Sequence, residues 1–219
     1  WGVPTLNHAD AVAICDDKAR GSLVLAAAGI PTPRTFLAYS VESAVRACEA
    51  VGYPAVLKPV TGSWGRLLAR VNGPEQAASI MAQKTELGSF HHEIFYVQEY
   101  IEKPDRDIRA YVVGEKVLAA SYRTAAHWIT NAARGAVSAP CPVTAEIEDL
   151  ALRACAAVGA CLAGVDLIET ADGLKIIEVN TGGEFRGLMT TTDVDIAAEI
   201  VTEAVRLAKV GEAPLAVAS

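Results

Sequence analysis

The sequence predicts an α+β fold, in which antiparallel strands form hairpins and helices pack on the sheets. Two short turn sequences, Gly114-Glu115 and Ala171-Asp172-Gly173, each lie between apolar segments of strand length. Short turns that contain glycine join antiparallel neighbours, whereas parallel strands need long crossover connections. Helical patterns with capping residues occupy the stretches between the strands. The order of elements therefore favours antiparallel sheets with segregated helices over a doubly wound parallel sheet.

The first part of the chain alternates helices and short strands. The predicted helices cover residues 8–28, 40–52 and 74–88, and the predicted strands cover residues 35–39, 54–58, 67–71 and 94–101. Gly29 ends the first helix, Ser40 caps the second and Pro74 lies in the first turn of the third. Each residue type is favoured at that position of a helix.

The second part of the chain contains both hairpins. The predicted strands cover residues 107–113, 116–123, 163–170 and 174–180, and the predicted helices cover residues 144–159 and a last helix that opens at Asp193. Thr144 caps its helix, and acidic residues follow in the first turns, where the helix dipole favours them. A boundary within residues 90–102 would divide a small β-rich lobe from a larger lobe.

Composition excludes several classes of function. Hydrophobic residues make up 52% of the 219 residues, enough for a sizeable core, and the net charge of −7 argues against a general nucleic-acid binder. No apolar run reaches the length of a membrane span, so no membrane partner is expected. The five cysteines have no CxxC pair and no metal-ligand spacing. Reduced thiols in a cytoplasmic protein are therefore expected.

The second hairpin carries a candidate metal site. If its turn comprises three residues, so that Thr170 faces Leu174, then Asp166 lies directly opposite Glu178. Asn180 lies two residues further along and points to the same side of the sheet. Facing acids among apolar neighbours repel, and a hard divalent cation such as Mg²⁺ would compensate them. A two-residue turn would remove this argument, and a solvent-facing polar stripe is the structural alternative.

A candidate phosphate-binding loop follows an apolar strand. Lys58 ends that strand, and the loop 61–66, which includes Ser63, Trp64 and Gly65, contains glycines and hydroxyl residues. The N–H groups of such a loop can approach phosphates, and an ordinary turn is the alternative. A lysine at the end of a buried strand is unusual, which favours a function for Lys58.

The remaining candidates each have an ordinary structural explanation that the sequence leaves open. Arg109 lies inside a strand and needs an anionic partner if it points inward, but it could lie on a solvated face. Asn131 and Arg134 could form a polar turn, and Lys18 could be an exposed helix residue. Arg186 follows the metal-site strand and could hold a substrate carboxylate.

Taken together, these segments resemble the ATP-grasp ligases over about residues 7–208. The matching parts occur in the order of that family: Asp17-Lys18, residues 29–33, residues 56–59, residues 97–101, residues 107–109, residues 164–166 and residues 177–180. Residues 127–135 are most similar to the LysX ligases of lysine biosynthesis, which are related to the RimK ligases. The sequence of the loop 181–187 differs from that expected of a typical 2-aminoadipate ligase, so the amino-acid specificity stays open.

The resemblance implies an ATP-grasp fold of two α+β lobes whose antiparallel sheets enclose the nucleotide. Residues 1–24 would be a linker and helix remaining from an absent N-terminal domain, residues 25–100 the small lobe, and residues 101–219 the C-terminal lobe with the metal and substrate site. It implies an ATP-dependent ligase that forms an amide bond through an acyl-phosphate, with ATP and two Mg²⁺ ions as cofactors.

The implied partners are an acidic amino acid, 2-aminoadipate or glutamate, and a small acidic carrier protein that receives it on its C-terminal glutamate, in lysine or arginine biosynthesis. A homo-oligomer, dimer or tetramer, is expected. Two alternatives stay open: a RimK-type glutamate ligase acting on another protein or a cofactor, and an ATP-binding module without catalysis.

The resemblance also implies roles for individual residues. The expected catalytic residues are Arg109, Asn131 and Arg134, and the expected metal ligands are Asp166, Glu178 and Asn180. The expected ATP contacts are Lys18, Lys58, Ser63, Trp64, Gly65, Gln98, Glu99, Tyr100, Ile101 and Asp107. Arg123 and Arg186 are expected to bind substrate.

Overall fold

The computed structural model describes residues 3–62, 65–88, 94–130, 135–182 and 184–210, and every structural statement below refers to these residues. The helices are α1 (Ala9–Asp16), α2 (Lys18–Ala27), α3 (Val41–Val51), α4 (Pro74–Leu87), α5 (Ala145–Val158), α6 (Arg186–Met189) and α7 (Ile196–Val210). The strands are β1 (Thr35–Ala38), β2 (Ala55–Lys58), β3 (Ala69–Val71), β4 (Phe95–Glu99), β5 (Arg106–Val113), β6 (Lys116–Thr124), β7 (Val137–Cys141), β8 (Leu162–Thr170) and β9 (Gly173–Asn180).

The chain divides into two compact units. Pro33–Glu102 forms one unit, and the described residues before and after it form the other. In the smaller unit the strand order is β1-β4-β2-β3, with every neighbouring pair antiparallel. Helices α3 and α4 bury their apolar residues against this sheet, around Cys48, Leu57 and Met81. This unit has a core of its own.

The larger unit is built on a second antiparallel sheet, in the order β7-β6-β5-β8-β9. One face packs against α1, α2 and α5 through a core that includes Ile108, Leu150 and Leu167. Tyr111 on the other face packs with Ile196 of α7. The prediction of an α+β fold with antiparallel sheets is confirmed.

The prediction of one continuous helix over residues 8–28 is wrong, because the chain forms two helices there, α1 and α2. Asp17 has an extended backbone and its side chain accepts hydrogen bonds from the N–H groups of Ala19 and Arg20, so it ends α1 and caps α2. Aspartate competes for backbone donors in this way and is favoured at an N-cap. Lys18 consequently lies in the first turn of α2.

Asn7 fixes the chain before α1 to the larger sheet. Its side-chain amide donates to the carbonyl oxygens of Leu162 at 2.7 Å and Thr181 at 3.3 Å. Its side-chain oxygen accepts from the backbone N–H groups of Cys161 and Leu162, both at 2.8 Å. The same side chain therefore holds the start of β8 and the residue that follows β9.

None of the described helices combines the length and the apolar character that a membrane span requires.

Candidate functional site

The β8–β9 hairpin places Asp166 directly opposite Glu178, as the sequence predicted. The predicted three-residue turn is wrong, however, because Thr170 faces Gly173 and the turn has two residues. A bulge between Asp166 and Leu167 shifts the register, so that Ile177 is the extra residue on β9. Bulges of this kind re-aim side chains next to functional sites. The bulge cancels the offset of the shorter turn and restores the facing pair of acids.

Asn180 lies beside this pair. It faces Gly164 across the hairpin, and its side-chain nitrogen lies 3.4 Å from both the Gly164 carbonyl oxygen and Asp166 Oδ2. Which side-chain atom is oxygen and which is nitrogen is set by the hydrogen-bond network, and the amide can turn to present either one. Two carboxylates and an amide therefore meet on one side of the hairpin.

Two arginines compensate the charge of Asp166, which is buried at 5% exposure. Arg109 donates from Nε at 2.5 Å and from Nη2 at 2.9 Å, and Arg123 Nη2 lies 3.1 Å from Oδ1. Burial acts to raise the pKa of Asp166, but the charges and hydrogen bonds of the two arginines outweigh it, and the net pKa is lowered. Asp166 is therefore an ionised carboxylate.

Glu178 has a cation of its own. Its Oε2 atom lies 3.4 Å from Lys18 Nζ, and both side chains are partly exposed. The two facing acids are thus balanced by arginine and lysine side chains, and their pairing does not by itself require a metal. The compensation that the sequence assigned to a divalent ion is thus already provided by protein side chains. The hairpin sequence gives no sign of them, because they come from β5, β6 and α2.

Arg123 and Asp107, which were expected to contact substrate and ATP, are both buried. They are 7% and 6% exposed, and Arg123 Nε donates to Asp107 Oδ1 at 2.5 Å. The buried Thr130 hydroxyl donates to Asp107 Oδ2 at 2.5 Å. Thr130 has no role in the sequence prediction, although it lies in the LysX-like segment 127–135, because no local pattern shows that its hydroxyl reaches Asp107.

Gly164 makes room for Arg109. A Cβ atom at Gly164 would lie 2.7 Å from Arg109 Nη1 and 2.9 Å from its Cδ atom. The arginine side chain crosses the glycine backbone on its way to Asp166. A glycine in a strand often marks such a close approach, which was the available signal at this position.

Lys18 and Glu178 also line a small cleft together with Cys15 and Ile177. Burial, followed by the charges of Asp16 and Glu178, raises the pKa of the Cys15 thiol to about 12. The thiol is neutral at physiological pH and is a poor nucleophile, because reactivity requires the thiolate.

The smaller unit holds the other predicted nucleotide contacts. Lys58 is 7% exposed, and its ammonium lies 5.9 Å from the centre of the Tyr96 ring. Gln98 is buried and donates to the Tyr96 hydroxyl at 3.0 Å and to Thr35 Oγ1 at 3.2 Å. Lys58 and Gln98 thus both lie near Tyr96. The side-chain hydrogen bonds of Gln98 go to Tyr96 and Thr35 of the same unit.

Glu99 is tied to the start of its own unit. Its backbone N–H donates to the Arg34 carbonyl at 2.9 Å, and its carboxylate accepts from the Arg34 backbone and Nε, both at 3.0 Å. Tyr100 lies under the Arg70 guanidinium, with 4.2 Å between Cζ and the ring centre. Ile101 is half-buried, and Gly65 has a φ of +63°, which glycine adopts readily.

Among the described residues, Arg186 is not part of this cluster. Arg186 begins α6 with an exposed side chain, 91% accessible, and its Nε atom lies 3.9 Å from Glu184 Oε1. Ser63, Trp64, Asn131 and Arg134 lie outside the described residues. Their predicted roles in ATP and substrate binding stay predictions.

The donor set of the hairpin fits a hard cation in chemical terms. The described residues contain no group of three histidine, cysteine or acidic side chains that could hold a metal. The hairpin instead offers two carboxylates, Asp166 and Glu178, and the amide of Asn180. Oxygen ligands of these types suit Mg²⁺, which usually keeps several waters and takes few protein ligands.

Comparison with known proteins places these features in a wider context. A family model for the RimK-like ATP-grasp domain matches residues 15–204. The chain is 40% identical over 210 residues to the tetrahydromethanopterin:α-L-glutamate ligase of Methanococcus maripaludis, with 94% of this chain and 71% of that protein covered. It is 31% identical over 210 residues to the α-aminoadipate–LysW ligase LysX of Saccharolobus solfataricus, with 95% of this chain and 76% of that protein covered.

A solved structure shares the fold. The ATP-grasp ligase PsnB, in complex with a minimal precursor, Mg and ADP, superimposes with a TM-score of 0.72 at 23% sequence identity. The match covers 93% of this chain and 62% of the PsnB chain, so the chain spans less than two thirds of that protein. At this identity the likeness establishes the ATP-grasp fold alone.

Proposed function

Because the chain belongs to the RimK-like ATP-grasp family, we propose that it is an ATP-dependent ligase that joins a carboxylate to the amino group of an acidic amino acid. The observation that carries the proposal is the facing pair Asp166 and Glu178, with Asn180 beside it and Arg109 and Lys18 as counter-charges. This cluster combines oxygen ligands for a cation with positive charges that suit phosphate.

The proposed reaction has two steps. An oxygen of the substrate carboxylate attacks the γ-phosphorus of ATP, the bond to the bridging oxygen breaks, and ADP leaves. The unprotonated amine then attacks the carbonyl carbon of the acyl-phosphate, phosphate leaves, and the proton released from the nitrogen passes to phosphate or water. Positioning and electrostatic stabilisation suffice for such chemistry, so no enzyme nucleophile is needed.

In this proposal Asp166, Glu178 and Asn180 hold Mg²⁺, which supplies charge neutralisation for the phosphate oxygens when it is bound. Arg109 and Lys18 then turn towards the phosphates. Arg109 suits this role because its planar guanidinium matches phosphate oxygens, and its side chain is 15% exposed and not sealed in the core. Lys58 and Gln98 remain proposed nucleotide contacts.

The amine substrate is proposed to be glutamate or 2-aminoadipate. Two relatives support an acidic amino acid, because one is named for α-L-glutamate and the other for α-aminoadipate. Exposed cations such as Arg186 are available for the side-chain carboxylate. The resemblance to LysX favours a small acidic carrier protein as the acceptor, whereas the 40% identity to a tetrahydromethanopterin ligase favours a cofactor that carries a carboxylate.

The test measures ADP release from MgATP by the purified protein. Glutamate and 2-aminoadipate are each supplied with a Glu-terminated carrier protein or with tetrahydromethanopterin, and single omissions serve as controls. We expect ADP release only when both an amine and an acceptor are present, and the acceptor that supports turnover decides between the two candidates. Tight MgATP binding without ADP release for every pair would contradict the proposal and favour a binding module without catalysis.

A further inference from the structure

Four charged side chains occupy one continuous patch on the larger sheet. Asp107 lies directly opposite Arg123 on β5 and β6, and Arg109 lies directly opposite Asp166 on β5 and β8. Residues two apart on a strand point to the same face, so Asp107 and Arg109 share it. The patch alternates in charge across three neighbouring strands.

The inner members of this patch have little access to solvent. Asp107, Arg123 and Asp166 are 6%, 7% and 5% exposed. A buried charge is tolerated only where its hydrogen bonds are nearly complete. Arg123 pairs with both acids, because it donates from Nε to Asp107 Oδ1 at 2.5 Å and its Nη2 atom lies 3.1 Å from Asp166 Oδ1. One guanidinium therefore separates two buried carboxylates.

Thr130 and Lys103 extend the network beyond the sheet. The Thr130 hydroxyl donates to Asp107 Oδ2 at 2.5 Å and accepts from Lys103 Nζ at 3.2 Å. Lys103 Nζ also donates to the Arg106 carbonyl at 2.8 Å. Asp107 thus has both oxygens engaged, which fixes its plane and, through it, the plane of Arg123.

Arg109 and Arg123 contact the same carboxylate in different ways. Arg109 is the more exposed of the two side chains, 15% against 8%, and among the described residues its guanidinium hydrogen-bonds to the single carboxylate of Asp166. Arg123 is held by a second acid and cannot move to a ligand without leaving Asp107 buried and unpaired. Only Arg109 is therefore suited to exchange Asp166 for a phosphate.

We propose that Arg123 is a positioning residue, which orients the Asp166 carboxylate towards the metal and is itself fixed by Asp107 and Thr130. This inference rests on the proposed function, in which Asp166 helps to hold Mg²⁺. It replaces the expectation that Arg123 contacts substrate and that Asp107 contacts ATP. Partners behind metal ligands commonly determine ligand orientation and metal affinity.

The test compares Arg123→Lys and Thr130→Val with the wild-type protein. The primary measurement is the affinity for Mn²⁺ in the presence of ADP, by electron paramagnetic resonance, which requires no turnover. Steady-state assays then separate the KM for Mg²⁺ from the KM for each substrate, and thermal unfolding reports whether each variant is folded.

We expect Arg123→Lys to weaken Mn²⁺ binding about ten-fold, as is typical for partners behind metal ligands. Thr130→Val should weaken it by less, because Thr130 acts through Asp107 and Arg123. The KM values for the amine and the acceptor should stay unchanged. Thr130→Ser keeps the hydroxyl and should restore wild-type affinity. Arg153→Met is the matched control, because Arg153 is an exposed arginine that pairs with Asp149 on the same helix.

Two results would overturn the proposal. One is unchanged Mn²⁺ affinity in folded Arg123→Lys and Thr130→Val proteins, and the other is a raised KM for the amine or the acceptor, which would make Arg123 a substrate contact. Absence of Mn²⁺ binding to the wild-type protein with ADP would overturn this proposal and the proposed function together. Mn²⁺ binding without ADP release for any substrate pair would contradict the proposed function but would leave the positioning role of Arg123 standing.

Discussion

Asp166 faces Glu178 across the β8–β9 hairpin because the bulge at Ile177 offsets a turn of only two residues. Without the bulge, the period of two along a strand would turn one of the two acids to the opposite face. The facing pair is therefore produced by two irregularities that cancel. In this arrangement Asp166 contacts Asn180 and Arg109, and Glu178 contacts Lys18. The following predictions depend on it.

Glu178→Gln should abolish turnover while leaving the protein folded. The amide keeps the shape of the side chain but removes the charge of a proposed metal ligand. Loss of a partner behind a metal ligand typically costs about 10- to 100-fold, so for the ligand itself we expect ADP release to fall by at least about 100-fold. The Lys18–Glu178 pair is partly exposed, and its loss should change the free energy of unfolding by less than about 1 kcal/mol. Rates of ADP release and urea unfolding measure the two effects.

Glu49→Gln is the control for this experiment, because Glu49 lies on the exposed face of α3 in the other unit. It should retain wild-type activity and stability. Wild-type activity in Glu178→Gln would remove Glu178 from the mechanism.

Gly164→Ala should displace Arg109 from Asp166. The added methyl group would lie 2.7 Å from Arg109 Nη1, and the arginine must move because the strand backbone cannot. We expect the KM for ATP to rise about ten-fold, equivalent to the loss of a charged hydrogen bond. Gly73→Ala is the control, since a Cβ there meets nothing within 4 Å. An unchanged KM would show that Arg109 does not bind the nucleotide.

Lys18→Met should strengthen metal binding in the absence of nucleotide and weaken nucleotide binding. Lys18 pairs with Glu178, so a cation that binds Glu178 would have to compete with it. Titration with Mn²⁺ alone should show a lower Kd in the variant, whereas titration with ADP alone should show a higher one. Lys209→Met, on the exposed end of α7, should change neither constant. Equal Mn²⁺ affinity in both proteins would contradict competition by Lys18.

Asn7→Ala should destabilise the larger unit. The substitution leaves backbone groups of Cys161, Leu162 and Thr181 without their partner, and we expect a loss of about 2–4 kcal/mol in the free energy of unfolding. Urea denaturation measures this loss. The exposed Asn72 offers a matched control, for which Asn72→Ala should stay within about 0.5 kcal/mol of wild type. A similar value for both variants would show that the Asn7 hydrogen bonds are dispensable.

The Arg106–Glu169 pair should add stability that depends on pH. Its two hydrogen bonds, at 2.7 and 2.8 Å, lower the pKa of Glu169 below its ordinary value of 4.5. The folded protein therefore binds the proton less readily than the unfolded chain does, so the contribution is complete above the unfolded pKa and is lost as pH falls through the folded pKa.

Both side chains are partly exposed, so Glu169→Gln should lower the free energy of unfolding by no more than about 1 kcal/mol at pH 7. The difference from wild type should shrink as the pH falls below 4.5, the ordinary pKa of the glutamate. Urea unfolding at a series of pH values measures this, and a difference that persists unchanged at low pH would exclude the ion pair as its source.

Local sequence patterns predicted much of the fold but not all of it. The strands around Gly114 and Ala171-Asp172 were found because each hairpin is a short-range feature with its own turn signal. Strand β7 was missed because it contains Pro140, which lacks an N–H donor and is tolerated mainly at a sheet edge, where β7 lies. The break at Asp17 was missed because the apolar pattern continues on both sides of it.

The site was predicted to a similar extent. Asp166 and Glu178 face each other within one hairpin, so the local sequence could predict the pair. It could not predict the bulge at Ile177. The pairing of Asp166 with Arg109 and Arg123 depends on which distant strands become neighbours of β8. Such long-range pairing leaves no local pattern, so the hairpin sequence by itself indicates no compensating charge other than a bound cation.

The Pro33–Glu102 unit is a single uninterrupted stretch within the chain of the larger unit. Its first and last strands, β1 and β4, are antiparallel neighbours, and Thr35 faces Gln98 in their register. Entry and exit therefore lie side by side, about 5 Å apart as in any antiparallel pair. A segment with adjoining ends can be exchanged for that of a relative without displacing the strands of the larger unit, so chimaeric proteins can test whether this unit carries the proposed nucleotide contacts.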